Sequence, residues 1–205
     1  MSFGDGIDWD FEAQRSARDD QPVAHDAEVV QHMKRLCPEA RLLLDAGCNI
    51  GNFCPLFTGA GYLYCGFDQS AIALNIARSR YPLPGGGVFI EGMLWDMPFE
   101  AADDPVGHAP SGWHGGGFDI VHVNAVLQHN RMEEKLRIMP RITAATRIGG
   151  LFVMAESTLP LETATQLTSE GWIALAERHG FALIETWHQN ELGLDDTYAF
   201  RRVAE

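Results

Sequence analysis

Two short stretches of the sequence carry residues whose types and spacing suit the binding of a nucleoside. The first reads Asp45-x-Gly47-x-x-x-Gly51 and follows a run of leucines, a pattern typical of a buried strand that enters a tight turn. The second is another apolar run, which ends at Asp68. On an open α/β sheet, such a turn lets a ligand approach the backbone, and an acid that ends the next strand accepts hydrogen bonds from a ribose diol. We therefore predict a nucleoside site formed by the turn and Asp68.

The turn also indicates which nucleoside cofactor is bound. A dinucleotide fingerprint needs G-x-G-x-x-G, with a helix N-terminus facing a pyrophosphate, and this turn lacks that glycine spacing. Asp45 precedes the first glycine, where a carboxylate would repel a pyrophosphate and attract an ammonium group. A cofactor with a ribose and a charged amino acid end, but without phosphate, fits best. That cofactor is S-adenosylmethionine, and a nicotinamide-dependent oxidoreductase is the disfavoured alternative.

Five sequence motifs resemble, in order and spacing, those of class I S-adenosylmethionine-dependent methyltransferases. The resemblance extends over roughly residues 28 to 203, and the motifs occupy 42–51, 64–70, 90–99, 118–129 and 147–156. It implies an α/β fold, a three-layer αβα sandwich around a seven-stranded, mostly parallel sheet with an antiparallel last strand. It also implies methyl transfer as the reaction and S-adenosylmethionine as the cofactor.

The resemblance implies a set of cofactor-binding residues, with two departures from the family pattern. The first motif usually reads D-x-G-C-G-x-G, and its middle glycine is Asn49 here, a residue that tolerates a positive φ. The adenine-side motif usually has Asp after its glycine, whereas Met93 stands here and Asp96 comes later. Apolar packing, backbone groups or a shifted acid would then hold the adenine. The implied cofactor-binding residues are Asp45, Gly47, Cys48, Asn49, Gly51, Asp68, Gln69, Met93, Leu94, Asn124 and Leu127.

Candidate catalytic residues follow the fourth and fifth strands of the predicted sheet. Ligands of open sheets bind at the carboxyl ends of the strands, where this chain offers His129 and Glu156. Methyl transfer mainly needs the acceptor to be held in line with the methyl group, so a general base is optional. His129 could serve as that base, because imidazole titrates near neutral pH, or it could have a structural role. Glu156 could accept a proton or bind a cationic acceptor.

Composition and charge limit the classes of partner. A chain of 205 residues suits a single domain. We assign residues 21–205 to a methyltransferase domain and residues 1–20, with Trp9 and Phe11, to an N-terminal tail or pocket cap. A net charge of −13 disfavours nucleic acid, and no apolar run is long enough to span a bilayer. The cysteines lack metal-site spacing, which predicts free thiols in a cytoplasmic protein without a metal. We expect a small-molecule acceptor, no membrane contact, and either a monomer or a homodimer.

The pattern between the motifs predicts the elements that position these residues. Helical spacing predicts helices over about 52–59, 132–147 and 169–179, and the second of these would carry Arg137, Arg141 and Arg147. Residues 100–117 are rich in Gly and Pro and predict a surface loop, either a spacer or a lid. The last two strands are predicted to pair antiparallel at the sheet edge. A methyltransferase-like domain that binds or regulates without catalysis is the alternative reading of the whole chain.

Overall fold

A computed structural model describes residues 2–3, 7–16, 26–83, 87–99, 117–158, 166–188 and 195–204. The strands are β1 (Ser2–Phe3), β2 (Ile7–Asp8), β3 (Leu42–Ala46), β4 (Leu63–Asp68), β5 (Val88–Glu91), β6 (Phe118–Asn124), β7 (Thr146–Ser157), β8 (Phe181–His188) and β9 (Asp195–Arg202). The helices are α1 (Trp9–Ser16), α2 (Asp26–Leu36), α3 (Cys54–Gly59), α4 (Ala71–Arg80), α5 (Met132–Ala145) and α6 (Ser169–Glu177). Two 3-10 turns, Leu94–Asp96 and Leu127–His129, follow β5 and β6.

Seven strands form one sheet in the order β5-β4-β3-β6-β7-β9-β8. The strands from β5 to β7 run parallel, whereas β9 lies antiparallel to both β7 and β8. The chain moves outwards from β3 to β4 and β5, and then returns to the other side of β3 with β6. This reversal opens a crevice at the carboxyl ends of β3 and β6, the usual position of a ligand site in such sheets. The predicted sheet and its antiparallel last strand are confirmed.

Apolar side chains fill both faces of the sheet, which gives the predicted three layers. Successive residues of a strand point to opposite faces, so Leu43 packs in one core cluster and Leu44 in the other. The first cluster includes Met33 of α2 and Phe57 of α3, and the second includes Trp172 of α6. Because β3 is buried on both faces, its sequence is a continuous apolar run rather than an alternating one.

The predicted helix over 132–147 is too long, because α5 ends at Ala145 and β7 begins at Thr146. Arg147 therefore lies on a strand and does not share a helix with Arg137 and Arg141, so that prediction was wrong. Its Nε lies 2.8 Å from Asp119 Oδ1 on β6, and this ion pair joins the starts of the two strands. The helix predicted over about 52–59 is α3, which begins at Cys54, two residues later than predicted. The loop predicted over 100–117 lies outside the described residues except for Gly117.

The N-terminal segment contains short regular elements. Ser2 pairs with Asp8 and Phe3 with Ile7 in an antiparallel ladder. Helix α1 packs on α4, where Ala13 is fully buried against Ile50 and Ala73. No described helix is long and apolar enough to cross a membrane.

Candidate functional site

A cavity of about 300 Å³ opens at the carboxyl ends of β3, β4 and β6. Three features meet there: the turn after β3, the acid that ends β4, and the loop after β6. Its described lining residues are Asp45, Gly47, Cys48, Asn49, Asn52, Phe53, Asp68, Gln69, Ser70, Leu94, Trp95, Asn124, Ala125, Val126, His129 and Asn130. The cavity therefore brings together the nucleoside site and one of the two candidate catalytic residues predicted from the sequence.

The turn after β3 depends on three residues with positive φ. Gly47 has a φ of 85°, Asn49 of 49° and Gly51 of 77°. The Asn that replaces the usual middle glycine therefore adopts the left-handed conformation, which confirms the expectation that Asn49 preserves the turn. The amides of Gly47 and Cys48 both donate to the Phe67 carbonyl at the end of β4, at 2.7 and 3.1 Å. The turn is thus anchored to the neighbouring strand.

Gly47 is required by packing within the protein itself. A Cβ built on Gly47 would lie 2.4 Å from Val126 Cγ2, in the loop after β6. The sequence predicted close ligand approach at this glycine and missed the contact with Val126. Gly51 does not line the cavity, and a Cβ there would lie 3.2 to 3.4 Å from Ala77, Tyr81 and Phe89. Gly51 therefore permits close packing between the turn and α4.

The carboxylate of Asp45 is buried and accepts two side-chain hydrogen bonds. Its Oδ1 lies 2.8 Å from His122 Nδ1, and its Oδ2 accepts from the Tyr64 hydroxyl at 2.7 Å. Burial, followed by the charge of Asp45, raises the pKa of Tyr64 well above its usual value, so the hydroxyl keeps its proton. Asp45 is therefore fixed in direction by β4 and β6, and it places a negative charge at the base of the cavity.

Asp68 organises the two chain segments on either side of the cavity. Its Oδ2 accepts from the Asn49 amide in the turn, and its Oδ1 accepts from the Ser70 amide before α4, both at 2.8 Å. Burial raises the pKa of Asp68, and these backbone donors lower it. Each carboxylate oxygen has a second lone pair. Asp68 can thus accept a ribose hydroxyl on each oxygen while it holds the turn.

Ser70 joins the N-terminal helix to the edge of the cavity. Its hydroxyl accepts from the Ala73 amide as the N-cap of α4 and donates to Asp10 Oδ1 of α1 at 2.6 Å. Phe11, named from the sequence as a possible cap, is 62% exposed and does not line the cavity. The side chain of Trp9 lies outside the described residues. The position of α1 therefore depends on Asp10 and Ala13.

The side of the cavity that was predicted to hold the adenine is formed by Leu94 and Trp95, on the 3-10 turn after β5. The guanidinium carbon of Arg137, on α5, lies 5.1 Å from the centre of the Trp95 ring, within the range of a cation–π contact. Met93 precedes the turn and Asp96 is exposed, and neither lines the cavity. This side therefore presents an apolar and aromatic wall without a described carboxylate.

Glu156, at the end of β7, holds the loop after β6. Its Oε1 accepts from the amides of Val126 and Leu127 at 3.1 and 2.8 Å, and its Oε2 accepts from the amide of Gln128 at 2.9 Å. Burial raises the pKa of Glu156 to about 7, and the three amides and nearby Lys135 oppose the shift. Glu156 is 1% exposed and does not line the cavity. Its geometry is that of a group that positions the loop.

Lys135, on α5, supports the same loop from behind. It is buried, its Nζ donates to the Asn130 carbonyl, and it lies 5.4 Å from the centre of the Trp172 ring. Burial lowers the pKa of Lys135 to about 8, against the attraction of Glu156 and Glu134. The side-chain Nδ2 of Asn130 also donates to the Val126 carbonyl at 2.8 Å. The loop is therefore fixed at both ends by side chains from α5 and β7.

His129 lines the cavity from the end of this loop. Its Nε2 lies 3.2 Å from Gln128 Nε2, and Gln128 Oε1 accepts from the Ser157 amide at 2.7 Å. The ring is thus linked through Gln128 to β7. Of the two candidate catalytic residues, the structure brings His129 to the cavity and places Glu156 behind it.

Most of the residues that the sequence predicts to bind the cofactor line the cavity, but the prediction missed a second group of lining residues. Leu127 does not line the cavity and is buried in the core. The lining residues that were not among the predicted site residues lie within the motifs or one or two positions after them: Asn52, Phe53, Ser70, Trp95, Ala125, Val126 and Asn130. Their signal was their position in or next to the motifs, but the side each one faces depends on the turns. The four cysteines are free and buried, and no metal-binding cluster occurs among the described residues.

Comparison with known proteins gives a family match and several structural neighbours. A family model described as a methyltransferase domain matches residues 23–192. No curated protein matches the sequence significantly. A TehB-like S-adenosylmethionine-dependent methyltransferase from Corynebacterium glutamicum has a TM-score of 0.69 at 17% identity, covering 95% of this chain and 97% of that one.

Two further neighbours contain the cofactor or its product. The 1,6-didemethyltoxoflavin-N1-methyltransferase of Burkholderia thailandensis, with bound 1,6-didemethyltoxoflavin and S-adenosylhomocysteine, has a TM-score of 0.71 at 16% identity, covering 95% of this chain and 87% of that one. The magnesium protoporphyrin IX methyltransferase of Synechocystis PCC 6803, with bound S-adenosylmethionine, has a TM-score of 0.65 at 18% identity, covering 93% of this chain and 90% of that one. At these identities, the structural likeness establishes a shared fold.

Proposed function

Because this chain belongs to the methyltransferase-domain family and uses S-adenosylmethionine as its cofactor, we propose that it methylates an oxygen or nitrogen atom of a small-molecule acceptor. The observation that supports this proposal is that one cavity contains both the residues predicted to bind the cofactor and residues that can bind an acceptor. Asp68 and the turn after β3 lie in the same cavity as His129 and Asn130, which follow β6. The cavity volume of about 300 Å³ lies within the range of small-molecule sites.

The residues of the cavity fit the cofactor. We propose that Asp68 holds the ribose hydroxyls, since each of its oxygens has a lone pair beyond the one used by the backbone. Asp45 supplies negative charge for the ammonium group of the amino acid end, and Leu94 and Trp95 pack on the adenine. When bound, S-adenosylmethionine supplies a methyl group on a positively charged sulfur. The protein's contribution is then to bind, to exclude water and to orient the acceptor.

The acceptor half of the cavity lies at the end of β6. Asn124, His129 and Asn130 offer hydrogen-bonding groups there, and Phe53 offers an aromatic face. Two neighbours are named for small-molecule acceptors, a didemethyltoxoflavin and a magnesium porphyrin, which supports the same class for this chain. Four free, buried cysteines favour a cytoplasmic location, the compartment in which thiols stay reduced.

Calorimetric titration of S-adenosylhomocysteine, with NAD as the control ligand, tests the cofactor site. We expect micromolar binding of the first and no binding of the second. Methyl transfer from radiolabelled S-adenosylmethionine to a small-molecule panel then tests the reaction. Binding of S-adenosylhomocysteine without turnover on any acceptor would favour the alternative, a catalytically inactive binding or regulatory module.

A further inference from the structure

The orientation of the Gln128 amide is determined by the backbone of β7. The Ser157 N–H can only donate, and it lies 2.7 Å from Gln128 Oε1. The oxygen of the amide must therefore face Ser157, which leaves the NH₂ group of Gln128 facing His129, with Nε2 to Nε2 at 3.2 Å. The hydrogen-bonding direction at His129 follows from this orientation.

An amide NH₂ donates and does not accept, so Nε2 of His129 must be the acceptor of this hydrogen bond. An imidazole nitrogen that accepts carries no proton, so in the neutral ring the proton resides on Nδ1. A tautomer is commonly set by the hydrogen bond at the other ring nitrogen, and here that partner is Gln128. The lone pair of Nε2 that a general base would use is already engaged.

Gln128 is itself held firmly enough to impose this choice. Its backbone amide donates to Glu156 Oε2 at 2.9 Å, and its side chain accepts from Ser157, so both parts of the residue are attached to the end of β7. A flip of the amide would bring its NH₂ group against the Ser157 N–H and would lose the hydrogen bond between Ser157 and Gln128. The Ser157 N–H would then be left without its acceptor, which makes the flipped orientation unfavourable.

We propose that Gln128 is a positioning residue that holds His129 in the neutral tautomer with its proton on Nδ1, so that the site methylates acceptor atoms that are already unprotonated. This inference rests on the proposed function. It assigns to Gln128, which does not line the cavity, control over the chemistry of a residue that does. Of the two roles that the sequence left open for His129, general base or structural residue, this inference disfavours the base, because Nε2 of the ring is occupied.

The other titratable groups in the described lining support the same reading. Both oxygens of Asp45 accept hydrogen bonds from the protein, and the lone pairs that remain on Asp68 are the ones that we assign to the ribose hydroxyls. The Cys48 thiol is buried, and its pKa lies well above the usual value, so it keeps its proton. None of these groups in the described part of the lining is a ready acceptor for a proton from the substrate.

The reaction balances without a base on the protein. A lone pair of the acceptor atom forms the new bond to the methyl carbon, the bond from carbon to sulfur breaks, and its electron pair stays on sulfur. An anionic oxygen or nitrogen gives a neutral product in this step, and no proton is left over. The acceptor class is therefore one with an acidic O–H or N–H, or a carboxylate, that is ionised at neutral pH.

Nuclear magnetic resonance of protein labelled with ¹⁵N-histidine tests the tautomer without any acceptor. The ring signals of His129 are identified by their loss in His129→Asn. We expect the wild-type protein to show a protonated Nδ1 and an unprotonated Nε2. In Gln128→Glu, the carboxylate can only accept, so the proton should move to Nε2. Gln128→Met, similar in length and without a hydrogen bond, should show a mixture of the two tautomers.

The same experiment can overturn the proposal. A protonated Nε2 in the wild-type protein, or the same tautomer in wild type and Gln128→Glu, would refute the role of Gln128. A cooperative urea denaturation transition shows that each variant is folded. Failure of the proposed function would appear separately, as no binding of S-adenosylhomocysteine by a protein whose His129 tautomer is as expected.

Discussion

Asparagine in place of Asp68 tests the ribose role directly, because it keeps the shape of the side chain and removes its charge. In the wild-type protein, one oxygen accepts from Asn49 and the other from Ser70, and each has one lone pair left for a ribose hydroxyl. Asparagine retains a single oxygen. The variant therefore loses one acceptor for the ribose and the charge that strengthens the other.

The expected loss in cofactor affinity follows from these counts. A hydrogen bond to a charged group contributes about 1.5 to 3 kcal/mol, so removing one should cost about 2 kcal/mol. At about 1.4 kcal/mol for each factor of ten, the dissociation constant for S-adenosylhomocysteine should rise about 30-fold. Asp68→Ala removes both acceptors and should lose at least as much. Calorimetry measures both values directly.

The assay must separate binding from folding, because Asp68 also holds the turn. One backbone donor loses its acceptor in Asp68→Asn, which should lower the free energy of unfolding by about 1 kcal/mol. Urea denaturation of the ligand-free variants measures this part. Affinity for S-adenosylhomocysteine within threefold of wild type would refute the ribose assignment, whatever the change in stability.

Asp96→Asn is the matched control for this substitution. Asp96 is exposed on the same 3-10 turn as Leu94 and Trp95, and it does not line the cavity. We expect the affinity of Asp96→Asn for S-adenosylhomocysteine to stay within threefold of wild type. A loss equal to that of Asp68→Asn would instead identify Asp96 as the shifted adenine acid that the sequence left open.

Three further substitutions test the supports of the cavity. Gly47→Ala should lower the free energy of unfolding by about 2 kcal/mol, because φ is positive at this position and the new Cβ clashes with Val126. Adding Val126→Ala should restore only the part of the stability that the clash removes, and wild-type stability of Gly47→Ala in urea would contradict this prediction. Lys135→Met removes a charge that lowers the pKa of Glu156, so this pKa should rise above its present value of about 7 in a ¹³C-glutamate titration. A fall would contradict the attraction between Lys135 and Glu156. Asp10→Ala should speed amide exchange in α1 about fivefold, the equivalent of one hydrogen bond of about 1 kcal/mol, and unchanged exchange would exclude that anchor.

The pH dependence of stability has a defined sign at Glu156. Its pKa in the folded protein, about 7, is raised above the ordinary value of 4.5, so the folded state binds the proton more tightly than the unfolded state. The contribution of this group to stability is therefore fully present below about pH 4.5 and is lost as the pH rises through about 7.

The sequence predicted the parts of the site that depend on local order along the chain. Asp45 and Asp68 end buried strands, and a parallel sheet must bring such strand ends together, so their meeting at the cavity could be foreseen. The loop after β6 could not be read in the same way. Ala125 has a φ of 52°, so the alternation of β6 does not continue beyond it. Leu127 consequently faces the core, and His129 faces the cavity.

Contacts that cross between distant segments were beyond sequence reasoning for a different reason. Trp95 reaches the cavity because a 3-10 turn redirects the chain after β5, and the bounds of such a turn are set by packing against α5. Arg147 was assigned to a helix because its neighbours have helical spacing. Its ion pair with Asp119 on the adjacent strand is a tertiary contact, and tertiary contacts override local propensity.

The cavity is shaped by acids that each hold a loop belonging to a neighbouring strand. Asp68, at the end of β4, holds the turn after β3, and Glu156, at the end of β7, holds the loop after β6. These two loops touch where Val126 packs against Gly47. Sheet pairing stops at the strand ends, so the distance across the cavity is set by these carboxylates and this contact rather than by the ladder. A change at Glu156 should therefore alter the turn after β3 through Val126, although Glu156 itself does not line the cavity.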